Sequence, residues 1–303
     1  MLIKVLGSSA GGGLPQINCN CRNCADARAG SRAVRRRTQS SVAVSRDGSD
    51  WTLLNASPDL RQQIDATPQL WPRPEGGRRS SPIVSIVLTN ADVDHVAGLL
   101  SLREGVSFTL YGSASVLAAL AANPIYAVLD RAHVPRVTLA LESKLVLAGG
   151  LCLEAFAVPG KIALYLETAA AEFGSRPGDT LGLKISDPES GAAFFFIPGC
   201  AAVDATLAAR LRGAPLVLFD GTLYTDDEMI VQGLSSKTGQ RMGHLAMAGP
   251  SGAITAFAGV EVGRRVFVHM NNSNPALRED SPERASVEAA GWEIAWDGME
   301  IEL

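Results

Sequence analysis

The chain has 303 residues, 47% hydrophobic and only 19% charged, with 30 glycines, which excludes a solvated coil and suits a large α/β core with many loops. A formal net charge of -4 gives no basic footprint, so neither nucleic acid nor an anionic membrane is expected as a partner. The opening MLIKVLGSSAGGG is unlike a secretory signal and no apolar stretch long enough to span a membrane follows it, so a cytoplasmic, soluble protein is expected.

Ile3 to Leu6 reads as a first strand, leading into the loop Gly7 to Gly13, which is either a plain turn or a close approach of backbone to a ligand. Next comes Asn18-Cys19-Asn20-Cys21-Arg22-Asn23-Cys24, a CxCxxC. Three of the five cysteines lie within six residues here, unlike a secreted disulfide framework. Thiolates so close can share one structural zinc ion at roughly 2.3 Å, with a fourth ligand drawn from elsewhere in the chain. Cys152 and Cys200, in apolar surroundings, read as core residues. The basic run Arg32, Arg35, Arg36 and Arg37 is either a solvated face or a clamp for substrate carboxylates, since a guanidinium pairs with them bidentately.

Ser40 to Val44 and Trp51 to Asn55 read as a hairpin with Gly48 in its turn, and Asp59 as a cap for a helix starting at Leu60. Pro72 to Ser81 is a loop. The apolar run Ile83 to Leu88 is a buried strand ending in Thr89-Asn90-Ala91-Asp92-Val93-Asp94-His95, an acidic cluster where site chemistry belongs. A helix is expected from Val96 to Leu102, a strand from Phe108 to Tyr111, and a helix from Ser115 to Ala122 stopped by Asn123-Pro124. Leu145 to Leu147, Leu151 to Val158, Ile162 to Glu167, Leu181 to Ser186 and Ala193 to Ile197 are five strand-like runs, and Leu216 to Phe219 a buried strand ending at Asp220. Val266 to Val268 is the last expected buried strand, ending at His269. Three strands therefore end in chemistry-bearing residues, and no linker divides the chain: one domain, 1–303, with a zinc knuckle at 18–25.

The spacing Asn90-x-Asp92-x-Asp94-His95 resembles the HxHxDH signature of the metallo-β-lactamase fold family, with both leading histidines replaced. CxCxxC, Asp220-Gly221-Thr222, Gly243-His244 and His269 stand in the expected order, so the resemblance covers nearly the whole chain. TNADVDH, FAVPGK, FFFIPGC, FDGT and HMNNSNP are together similar to the branch of that family that serves pyrroloquinoline quinone (PQQ) biosynthesis. The resemblance implies an α/β fold, a four-layer αβ/βα sandwich with the metal site at one edge of two packed sheets.

Against the family's hydrolases, the ligands of one metal are replaced by Asn90, Asp92 and, by position, Gly160, and the bridging acid by Gly199. Asp94, His95 and His269 survive, the two-histidine, one-carboxylate set of a non-haem iron(II) oxygenase, although zinc would accept the same ligands. Asp92 is an extra ligand, an acceptor orienting a histidine, or a plain polar residue. The resemblance implies iron- and O2-dependent hydroxylation of the tyrosine of a Glu-Tyr dipeptide derived from a precursor peptide. Its carboxylates would meet Arg35, Arg36, Arg37 and Lys161, while His244 and Asp220 move protons or position other groups. Cys19, Cys21 and Cys24 would hold the structural zinc, while the fourth ligand does not carry over: its position, a histidine in related phosphodiesterases, is Asn272 here. The alternatives are a metal-dependent hydrolase of phosphodiesters or lactones, and a non-enzymatic PQQ carrier. Expected partners are the small peptide-derived substrate, O2 and other PQQ biosynthesis proteins; a homodimer stays open.

Overall fold

A computed structural model describes residues 1–167 and 176–303. In the first half of the chain, β1 (Leu2–Gly7), β2 (Ser41–Ser45) and β3 (Trp51–Leu54) pair antiparallel, with the expected hairpin turning at Gly48, whose φ of 84° favours glycine. Then β4 (Ile83–Val87), β5 (Thr109–Gly112) and β6 (Arg136–Thr138) add in parallel. The second half repeats the scheme. β7 (Lys144–Val146), β8 (Cys152–Ala157), β9 (Leu181–Ser186) and β10 (Ala193–Ile197) are antiparallel. β11 (Ala214–Asp220), β12 (Val262–Val268) and β13 (Glu293–Ile294) follow in parallel. The chain returns to the first sheet with β14 (Glu300–Glu302), antiparallel to β1, which makes two seven-stranded sheets among the described residues.

Parallel neighbours need crossovers, and the crossovers carry the helices. Ser113 caps the helix Ala114–Ala122 by accepting from the Val116 N–H, and Asp204 and Ser281 do the same for Ala205–Leu211 and Pro282–Ala289.

Strand alternation sorts the side chains into layers. Phe194 and Phe196 of β10, Leu216 and Leu218 of β11, and Val266 and Val268 of β12 join Ile3, Val5, Val42, Val44 and Val87 in the core between the sheets. Their neighbours Phe195, Val217, Phe219 and Phe267 face the other way, onto Leu207, Phe257, Val287 and Trp292. On the far side, Leu53, Ile86 and Leu110 pack on Leu60, Leu99, Val116 and Leu120. Helices, sheet, sheet and helices are the four layers of the expected αβ/βα sandwich.

Several elements differ from expectation. Ile162 to Glu167 is not a strand: Leu164–Leu166 is a 3-10 turn, because an apolar run this short fixes no period. The helix after the acidic cluster begins earlier, Val93–Val96, and continues as a 3-10 segment Ala97–Leu102. Asp59 sits at the helix cap position but makes no capping bond; its Oδ2 accepts from Gln39 N and Nε2. Val266 to Val268 is only the end of β12, and β6, β13 and β14 were not expected.

Candidate metal centre

The carboxyl ends of β4, β11 and β12 lie at one edge of the sandwich, the usual place for ligands on parallel strands. The first brings Asp94 and His95, the second Asp220, the third His269. Three of the chain's four histidines meet there: the His269 ring lies 5.1 Å from that of His95 and 5.3 Å from that of His244, centroid to centroid. His269 adopts φ 58°, a left-handed conformation in which a non-glycine residue is strained, and Thr222 Oγ1 lies 3.0 Å from its carbonyl.

The ligand atoms of Asp94, His95 and His269 lie within 4.8 Å of one another. Asp94 Oδ2 is 3.0 Å from His269 Nε2 and 3.9 Å from His95 Nε2. His95 is buried, and its Nε2 has no hydrogen-bond partner among the described residues, so the ring aims a polar atom at a place where a further ligand would satisfy it. That atom is the structural mark of fit for a metal ion. Burial alone would raise the Asp94 carboxyl, but the charges of His95 and His269 and the hydrogen bond to His269 outweigh it and hold it below the usual range. Burial pushes His95 down to about 4 despite the neighbouring carboxylate. An ionised carboxylate and a neutral imidazole are the ligand forms a divalent metal needs. His269 goes up, because Asp94 and Asp220 outweigh its burial.

Asp92 stands outside this group. Its Oδ2 accepts from Asn90 Nδ2 at 2.8 Å, and burial together with Asp94 pushes its carboxyl up. Gly160 has no room for a side chain, since a Cβ there would lie 2.4 Å from Thr180 Oγ1. Gly11, in the glycine loop, lies against Asp94, and a Cβ there would sit 3.6 Å from its carboxyl carbon.

Asp220, His244 and His269 also converge, but as a hydrogen-bonded set. The Asp220 carboxylate accepts from Cys200 N, Thr222 N and Thr222 Oγ1, and lies 2.7 Å from His244 Nδ1. Burial opposes its ionisation, but His244 and these donors hold it low. Its oxygens are fully used, so Asp220 positions His244 and leaves the Nε2 of that partly exposed ring for contact.

The Lys161 backbone and Cγ pack against Gly243, beside His244, and Lys161 Nζ reaches Glu167 Oε1 at 3.3 Å. Arg241, absent from the sequence expectation, forks around the same carboxylate at 3.2 and 3.0 Å. Both cations lie far from the CxCxxC in sequence, and only the fold pairs them. The arginine run is placed differently. Arg37 is buried, with Nη1 donating to Ser8 Oγ and to the Ala295 carbonyl, so it is a core tie and no substrate clamp. Arg35 pairs with Glu279 and lies over Trp296, and Arg36 reaches the Ala27 carbonyl.

The thiols of Cys19, Cys21 and Cys24 form the second candidate site, closed by Asn272, whose Nδ2 lies 3.1, 3.5 and 3.3 Å from the three sulfurs. The nitrogen end of that amide faces the sulfurs, and its oxygen is the donor that zinc would take. Burial pushes Cys24 up to about 11, whereas at Cys19 hydrogen bonds from Cys21 and Asn272 outweigh burial and lower it. All five cysteines are free thiols; Cys200 is buried, as expected, and Cys152 half-buried.

Residues 50–270 match the beta-lactamase superfamily domain. Over the full length of both chains, the sequence is 53% identical to coenzyme PQQ synthesis protein B of Methylorubrum extorquens strain PA1. It is 52% identical to the protein of the same name from Bradyrhizobium diazoefficiens, covering 99% of each. The crystal structure of Zn2+-bound PqqB from Methylobacterium extorquens superposes with a TM-score of 0.97 at 52% identity, covering 100% of both chains. A diphosphatase of the PhnP family, covering 100% of this chain and 96% of its own, superposes with a TM-score of 0.70 at 19% identity, which shows the fold alone.

Proposed function

The chain belongs to the coenzyme PQQ synthesis protein B family of the β-lactamase superfamily, and from that premise we propose that it is a non-haem iron(II) oxygenase of PQQ biosynthesis. Its substrate is the Glu-Tyr dipeptide derived from the precursor peptide, hydroxylated on the tyrosine ring. The observation that carries this reading is the unpartnered, buried Nε2 of His95, set with Asp94 and His269 as two imidazoles and one carboxylate. The positions that would hold a second, hydrolytic metal are taken by the Asn90–Asp92 hydrogen bond and closed at Gly160.

Asp94, His95 and His269 would hold the iron, which when bound supplies activation of O2. One oxygen atom enters the ring and the other leaves as water, which takes two protons and two electrons from an external reductant. His244, aligned by Asp220, is the group able to deliver a proton at its Nε2. Lys161 and Arg241 already grip one carboxylate, Glu167, and the same pair suits a carboxylate of the dipeptide. Val93 and Tyr165, exposed beside the acidic cluster, offer apolar surface to its aromatic ring. The cysteine cluster holds zinc as a structural element. The protein works in the cytoplasm beside other PQQ biosynthesis proteins, a setting that suits its free thiols.

Anaerobic reconstitution with ferrous ion tests the proposal. One iron per chain beyond the zinc is expected, with oxygen uptake on adding the dipeptide. Iron bound without uptake overturns it; a second metal at saturating manganese with phosphodiester cleavage would make the protein a hydrolase instead.

A further inference from the structure

We propose that Asn90 is a positioning residue of the metal centre: its side-chain oxygen takes the Nδ1 proton of His95 and so presents the bare Nε2 of that ring to the metal. The proposal rests on Asp94, His95 and His269 being metal ligands, and is independent of which metal binds or what reaction follows.

Two contacts fix which way the Asn90 amide faces. Its Oδ1 lies 3.1 Å from the backbone N–H of Asp92, a group that can only donate. Its Nδ2 lies 2.8 Å from Asp92 Oδ2, a carboxylate oxygen. Turning the amide over would set N–H against N–H and oxygen against oxygen, losing both bonds at once. The oxygen therefore faces His95, whose Nδ1 is 2.6 Å away, and a nitrogen at that distance from an acceptor must carry the proton. The ring is then the Nδ1–H tautomer. Its Nε2 keeps a lone pair, and this is the buried atom with no hydrogen-bond partner among the described residues.

His269 is supported at its Nδ1 in the same way, through a different residue. Thr222 Oγ1 lies 2.6 Å from Asp220 Oδ1, so its single proton goes to the carboxylate, and it accepts from His269 Nδ1 at 2.9 Å. Both imidazoles thus turn Nε2 toward Asp94. A metal-binding histidine commonly donates its other N–H to an oxygen, and here two neutral side chains supply that oxygen. Asn90 occupies the place where hydrolases of this fold carry a ligand histidine. In this chain it has become a support for the ligand five residues on.

The test uses the full chain with its zinc retained, labelled with 15N-histidine and freed of other metal. Long-range proton–nitrogen NMR is expected to report the Nδ1–H tautomer for His95. Cobalt(II) titration of the zinc-loaded protein is expected to weaken by about 10- to 100-fold in Asn90→Ala and in the near-isosteric Asn90→Leu, with zinc content unchanged. The exchanged pair Asn90→Asp with Asp92→Asn keeps both an acceptor for His95 and a donor between the two side chains, and should restore affinity to within about threefold of wild type. An Nε2–H tautomer in the wild-type protein overturns the proposal even if no variant folds. So does unchanged cobalt affinity in Asn90→Ala. Wild-type protein that takes up no cobalt beyond the thiol site would instead bring down the metal-centre reading, with the tautomer still judging Asn90.

Discussion

Two candidate metal sites hang from one stretch of backbone and are built on opposite plans. His269 ends β12 in the Asp94–His95 group, and three residues later Asn272 closes the cysteine cluster. At the thiols the set is tight: three sulfurs stand together, with the Asn272 amide against all three. At the histidines, three candidate ligands gather, and His95 Nε2 lacks a hydrogen-bond partner among the described residues. A closed set of thiolates suits a structural ion, and an open set of imidazole and carboxylate suits chemistry. The same strand end thus anchors two candidate sites of different chemistry, one of thiols and one of imidazole and carboxylate.

The sharpest way to break the comparison is His269→Ala. It removes a ligand from the open site alone, so oxygen uptake should fall at least about a thousandfold, to background, while the zinc content stays at one per chain. Loss of zinc together with activity, measured by metal analysis of the purified variant, would show the two sites to be one cooperative unit. Next in size is His244→Gln. If His244 delivers a proton, turnover should drop on the order of a hundredfold with iron affinity held, and the pH dependence of turnover should flatten. A loss confined to KM would make it a binding residue. Cys21→Ser acts from the other side: about 10 °C off the melting temperature and loss of zinc, with turnover per folded molecule changed less than about threefold. An unchanged melting temperature and zinc content would remove the structural role.

The fold and the candidate clusters were legible in the sequence because both are written in local pattern. The run Ile83 to Leu88 followed by TNADVDH shows a strand and its end, and CxCxxC shows its own spacing. What could not be read depends on direction rather than on residue type. Arg35 and Arg37 look alike in sequence, yet an isolated bridge between Leu14 and Arg37 turns the second inward to Ser8 while the first points out to Glu279. Asp92 looks like a ligand until its hydrogen bond to Asn90 is seen. Lys161 and Arg241 meet on Glu167 only through tertiary packing, so a pairing between them leaves no local trace. β13 and β14, two and three residues long, are too short to display a period.

The turn that joins the two sites offers the smallest test, because a buried acid supports it. Glu228 Oε1 accepts from Ser273 Oγ, next to Asn272, and its Oε2 from the Tyr224 N–H. Burial pushes its carboxyl up to about 7, against the pull of these hydrogen bonds, from an ordinary value of 4.5. Between those two values the folded chain binds the proton more tightly than the unfolded one. Stability contributed by the neutral acid is therefore complete below pH 4.5 and is lost as pH rises through 7. Glu228→Gln keeps a neutral side chain at every pH, so it should be more stable than wild type by roughly 2 to 3 kcal/mol at pH 8. At pH 5 the gain should shrink to a fraction of that. Urea unfolding of both proteins at the two pH values measures the difference. A gain of the same size at both would mean that Glu228 is ionised throughout, and that the strand end joining the open and closed sites bears a buried charge rather than a neutral support.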